Sequence, residues 1–312
     1  LKHLVLLLFI LSYALNGQEL PPIQNYAPAD YGAENQNWGI SQSNERLIYV
    51  ANNKGLLEYN GEEWSLYTSP NQTILRSVKV IADKIYTGCY MEFGYWTKNN
   101  VNKLQYHSIS KQFKEKLLED EEFWNILKVD DLVLFQSKKR IYIYDEFGET
   151  LDHIEARTTL PKIWKLGKTV FYHVLGDGIY KIENGEKELV YNQESVANDE
   201  VIEMMDLNGK ILILTRHNGF YQISKGQAFP WPTQIDSSFG EATVYSAQKL
   251  YDNRIAIGTI SNGLFLLDET GKLIFHIYIW KMAFKTTPYF HCSRIWTRVY
   301  GLDWTMGSDI LF

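Results

Sequence analysis

The sequence predicts an all-β fold, a β-propeller of about six intact four-stranded blades followed by a disrupted seventh. Three observations predict it. A short phrase recurs at a period of roughly 40 to 45 residues, the length of one blade. It consists of a β-branched or aromatic run, a Gly with an apolar pair, and a second run. Asn-Gly or Asp-Gly pairs stand between the runs at Asn60-Gly61, Asp177-Gly178, Asn184-Gly185, Asn208-Gly209, Asn218-Gly219 and Asn262-Gly263, where tight turns between antiparallel strands need positive φ. The runs themselves are rich in Ile, Val, Tyr and Phe, the residues that suit a pleated, buried surface.

The copies can be followed in order. Leu47-Ile48-Tyr49-Val50 is answered by Gly55-Leu56-Leu57, and Lys84-Ile85-Tyr86-Thr87 by Gly94-Tyr95-Trp96. Leu132-Val133-Leu134-Phe135 precedes Ile141-Tyr142-Ile143, a unit without the Gly. Gly178-Ile179-Tyr180, Gly219-Phe220-Tyr221 and Gly263-Leu264-Phe265 complete the fourth to sixth units. The strand before each run brings Ile40, Val78, Ile126, Trp164, Met204 and Ala247 into equivalent places, as the innermost strands of six blades. Phe123 to Leu127 hints at a helical turn, and the acidic run Glu119-Asp120-Glu121-Glu122 before it reads as a solvated loop.

The ends differ from the middle. Lys2 and His3, the apolar run Leu4 to Leu11, and the small residues Ala14 and Gly17 have the order of a secretory signal peptide over 1–17, with a core too short to span a membrane. The propeller then occupies 18–276, in the periplasm. After Ile277 no Asn-Gly turn and no alternating strand is visible, and 277–312 reads as an aberrant, frameshifted tail. Reading from the last base of the Trp280 codon, the shifted frame is forced to Glu, Asn or Asp, and Gly, which is turn text of the kind the six units carry.

With 312 residues, net charge -6 and 14% aromatics, the chain has material for one large core and no basic face for nucleic acid. Its two cysteines, Cys89 and Cys292, make no disulfide framework, and Cys89 reads as a packed strand end. The seven histidines show no metal spacing, and no Gly-x-Ser-x-Gly elbow or Gly-rich phosphate loop occurs, so no catalytic residue, cofactor or metal ligand is predicted. Propellers bind ligands at the channel mouth, where loops enter the innermost strands. By that logic Arg76, Trp124, Glu203 and Tyr245, at the starts of inner strands, are the candidate binding residues. Packing between blades is the competing role for each.

The phrase Arg254-Ile255-Ala256-Ile257-Gly258-Thr259-Ile260-Ser261-Asn262-Gly263-Leu264-Phe265 resembles the two-component regulator propeller repeat, and Gly55-Leu56-Leu57-Glu58-Tyr59-Asn60-Gly61 is similar. The family's Trp before the Gly-Thr run is replaced by Ile48, Ile85, Val133, Val170, Leu212 and Ala256. The resemblance implies the periplasmic sensor region of a Bacteroidetes hybrid two-component or LuxR-type triple-tyrosine-domain regulator. It also implies an oligosaccharide or other small extracellular ligand, a homodimer, and a membrane link only through a downstream segment that this chain lacks. Such a protein is not an enzyme, and this portion contacts no nucleic acid. A secreted propeller lyase or glycosidase acting on polysaccharide, or a protein-binding scaffold, is the alternative.

Overall fold

The computed structural model describes residues 24–183, 185–239 and 243–277, together with the backbone of Cys292–Thr297, Gly301–Met306 and Asp309–Leu311. The predicted signal peptide lies outside the described residues.

Six consecutive antiparallel four-stranded sheets form the blades, each a meander from an inner strand a to an outer strand d. Strand a is Asn37–Gln42, Ser77–Ile81, Asn125–Val129, Ile163–Leu166, Val201–Leu207 and Val244–Lys249 in blades 1 to 6, so all six aligned positions from Ile40 to Ala247 fall on it. Successive a strands approach one another around the axis. Neither face of such a sheet can stay wet, and each seam holds its own core. Tyr49, Leu56, Val78 and Ile85 join blades 1 and 2. Phe93, Phe123, Phe135 and Tyr142 join blades 2 and 3. Leu134, Ile163 and Tyr172 join blades 3 and 4, Trp164, Ile179 and Met204 join 4 and 5, and Leu214, Phe220, Ile257 and Phe265 join 5 and 6.

The recurring Gly has one physical reason in three blades. A Cβ on Gly55, Gly94 or Gly178 would sit 2.1, 2.2 or 2.1 Å from the backbone carbonyl of Tyr67, His107 or Tyr191, each on strand d. These residues lie in strand c, where the outer strand crosses too closely for any side chain. Of the predicted turns, Asn208-Gly209 is a two-residue hairpin with φ of 55° and 79°. Asn218-Gly219 and Asn262-Gly263 belong instead to the longer b–c links, closed by Thr215 and Thr259 N–H bonds to Gly219 O and Gly263 O at 3.0 Å each.

Two local expectations are corrected. Helical turns fall at Pro28–Tyr31, Ser110–Lys116, Glu194–Ala197 and Asp236–Phe239, not at 123–127, because Phe123 is buried between blades 2 and 3 and Asn125 already starts strand a. The acidic run is a linker between blades but only half solvated, with Glu119 and Asp120 exposed and Glu121 and Glu122 turned inward. Glu121 is 1% exposed and accepts from Ser137 Oγ at 2.6 Å, Leu118 N at 3.1 Å and the Tyr142 hydroxyl, while Asp120 takes the Tyr90 hydroxyl at 2.7 Å. Glu121 ties the d–a linker to blade 3, and Asp120 ties it back to blade 2.

Strands also form after Ile277, where no alternating run is visible in the sequence. Asn25–Tyr26 pairs with Asp309–Leu311, which continues through Gly301–Met306 to Cys292–Thr297 as a seventh four-stranded sheet. Cys292–Thr297 stands between the a strands of blades 6 and 1. Ladder bonds come from the main chain, so strands form here without the alternation that marks them elsewhere.

Candidate functional site: the rim of the inner strands

The d–a linkers and the b–c links meet at one end of the ring, where strand a begins. Two positions before each aligned residue stand Trp38, Arg76, Trp124, Lys162, Ile202 and Tyr245, one per blade. In blades 1, 5 and 6 a bulge makes this residue the extra one, opposite no partner, with register shifts at Asn37/Gly39, Val201/Glu203 and Val244/Ser246. In blades 2 and 3 it precedes the strand and is held by its backbone, Arg76 N to Gly88 O and Trp124 N to Gln136 O, both at 2.8 Å.

The structure brings Arg76 and Trp124 together. The Arg76 guanidinium lies 4.2 Å from the Trp38 ring and 4.5 Å from the Trp124 ring, and the two indoles meet edge to face at 5.6 Å. Its Nε and Nη2 donate to Glu122 Oε1 at 3.0 and 2.9 Å. Trp38 Nε1 donates to Asn53 Oδ1 at 2.8 Å, and Lys138 Nζ reaches the Trp124 ring at 5.4 Å. A half-buried cation flanked by two aromatic faces and a carboxylate is a stable arrangement that welds blades 1, 2 and 3. Trp38 stands, like Trp124, two residues before the aligned inner-strand position, and that shared spacing is the signal by which it could have been found.

Glu203 is separate from this stack. It is buried at the start of strand a in blade 5 and accepts from Lys162 Nζ at 2.8 Å, which also bonds Ile202 O. Burial drives its carboxyl well above the ordinary range, and the Met204 N–H and the Trp164 indole oppose this without overcoming it. Tyr245 belongs to neither group and packs against Ala256, Leu264 and Leu266 on the face of blade 6 turned away from blade 5.

Two further polar groups line the same end. Asp199 accepts from His217 N at 2.8 Å and Nδ1 at 3.0 Å and from Asn218 N at 3.0 Å and Nδ2 at 3.1 Å. Burial alone would raise its pKa, but these bonds outweigh it and hold the carboxyl below its usual range. Cys89 ends strand b of blade 2 at 1% exposure, and burial pushes its thiol up to about 12, so it is inert packing. Among the described residues no helix is long and apolar enough to cross a membrane.

No family model and no curated protein matches the chain. Solved structures do. The extracellular domain of a protein described as a hybrid two-component system of B. thetaiotaomicron superposes with TM-score 0.65 at 16% identity over 89% of this chain and 38% of that one. A second such domain from the same organism gives 0.64 at 15%, over 93% and 41%. Virginiamycin B lyase from Staphylococcus aureus gives 0.68 at 12%, over 93% and 98%. The chain thus spans about two fifths of the sensor domains it resembles. At these identities the likeness carries the architecture, and the chain is a β-propeller built like extracellular sensor domains and like propeller lyases.

Proposed function

We propose that this chain is the ligand-binding propeller of an exported signal-transduction protein and is not itself a catalyst. The observation that carries the reading is that Glu122 and Glu203, the carboxylates among the groups that pair at the inner-strand entries, are each held by a cation, Arg76 and Lys162. Acid–base cleavage of a glycan needs two carboxyl groups facing one cleft, and these two are committed to holding blades together. The fold shared with extracellular sensor domains supports the same role. In this reading a small extracellular ligand, such as an oligosaccharide, seats on the rim, alters the packing of neighbouring blades or of a dimer, and the change passes to an output segment beyond this chain.

The test is a thermal-shift titration of the purified chain with a panel of oligosaccharides, followed by chromatography of the mixture. A saturable rise in midpoint with the ligand recovered intact supports the proposal. Turnover of any panel member overturns it.

A lyase is the second reading, favoured by the near-complete cover of virginiamycin B lyase and by the His217–Asp199 pair. Against it, Asp199 is also bonded to the backbone N–H groups of His217 and Asn218, which makes it a cap for that turn.

A further inference from the structure

We infer that the seam between blades 3 and 4, at the rim end, is a binding site for a small ligand bearing a carboxylate or sulfate group. A cavity of about 460 Å³ opens there, within the size range of small-molecule sites. Its lining includes Lys138 and Lys139 from the b–c link of blade 3, Arg157, Thr158 and Thr159 from the linker to blade 4, and Leu175 from the next b–c link.

The charge balance favours an anion. Three cations line the cavity of a chain whose net charge is -6. The carboxylate in the lining, Glu155, is held by Arg140 Nε at 2.6 Å. Lys139 donates one proton to Glu119 O at 3.0 Å and keeps two. Among the described residues Lys138 and Arg157 have no carboxylate within 4 Å. Three cations close together repel one another, an arrangement that an incoming anion relieves.

The second observation is independent of charge. Thr158 is 6% exposed, its N–H is anchored to Lys138 O at 2.8 Å, and its hydroxyl has no hydrogen-bond partner although it lines the cavity. Gln136, which ends strand b of blade 3, is wholly buried and neither its Oε1 nor its Nε2 is bonded. Val133 and Phe135 pack toward blade 2 and Leu134 toward blade 4, so strand alternation turns Gln136 to the blade-4 side, the side of the cavity. Unspent donors this deep are costly to keep unless something bonds them. Leu118 and Leu175 add apolar surface for the body that carries the anionic group.

The site does not depend on the sensor reading, since a catalyst could use the same seam. The experiment is calorimetric titration of the full chain at low ionic strength with sodium glucuronate, inorganic sulfate and, as the neutral counterpart, glucose. Saturable binding of glucuronate or sulfate but not glucose, weakened by added salt and reduced roughly tenfold or more in Lys138→Gln and in Arg157→Gln, is expected. Whichever of the two anions binds identifies the group the seam takes. Thr158→Val should weaken binding severalfold with no fall in the unfolding midpoint, which a merely structural hydroxyl would not do. Failure of both anions to saturate, equal binding of glucose, or affinity unchanged in the Lys138 and Arg157 variants overturns the inference.

Discussion

Two stretches of the same rim have spent their bonding capacity differently. Across blades 1 to 3, Arg76 is flanked by Trp38 and Trp124 and bonded to Glu122. Across blades 3 and 4, Lys138 and Arg157 have no carboxylate partner among the described residues, and Thr158 and Gln136 are buried with side-chain atoms unbonded. The first stretch is closed chemistry and holds the ring. The second is open chemistry and costs the ring stability. In a repeat fold, where each seam does the same mechanical work, a seam left unsatisfied is the one to suspect of binding.

The largest effect expected from that contrast is on the closed side. Arg76→Ala strands Glu122 and removes both ring contacts, and chemical unfolding should register a loss of about 2–3 kcal/mol, discounted because Glu122 is partly exposed. A loss within error would mean that the stack is decoration.

Glu203 sharpens the contrast through pH. Its folded-state pKa is raised by burial, so the folded protein holds that proton to higher pH than the unfolded chain does. The associated stability is present at low pH and disappears as pH climbs from the unfolded value near about 4.3 through the folded one. Unfolding curves across pH should therefore show wild type losing ground to Glu203→Gln as pH rises. The opposite slope would mean that Lys162 keeps the carboxylate ionised.

On the open side the sign reverses. Gln136→Leu replaces an amide with no partners by an apolar side chain and should raise stability by about 1–2 kcal/mol in a denaturant titration. A loss of similar size would show that ordered water completes the amide. The smallest effect belongs to the cations themselves. Lys138→Gln and Arg157→Gln should leave the unfolding midpoint where it is, because both side chains are exposed, neither has a carboxylate partner among the described residues, and the contact of Lys138 with the Trp124 ring is a long one.

Much of the ring was legible because propeller blades write their constraints locally. Gly55, Gly94 and Gly178 mark the crossing of the outer strand, and Ile40, Val78, Ile126, Trp164, Met204 and Ala247 mark the inner one. Arg76 and Trp124 are readable as starts of inner strands, and their side chains meet. What escaped is what depends on distant residues. The run from Glu119 to Glu122 looks like a solvated loop until Arg76, 46 positions away, and Ser137 are folded against it. Lys138 and Lys139 become a cavity wall only when the linker carrying Arg157 and Thr158 passes beside them. Glu203 was placed at the right strand start, but nothing in its neighbourhood names Lys162, a residue of the preceding blade. The tail beyond Ile277 carries no alternation, and main-chain pairing with the first strand of the chain leaves no mark in its letters.

The glycine clearance in strand c has a consequence for ancestry. Where a carbonyl passes 2.1 or 2.2 Å from the place a methyl group would occupy, one letter in each forty or so is fixed by geometry while its neighbours need only stay oily on alternate sides. A ring held by so few obligatory letters can drift until comparison of text finds no match, while superposition of backbones still finds the same architecture.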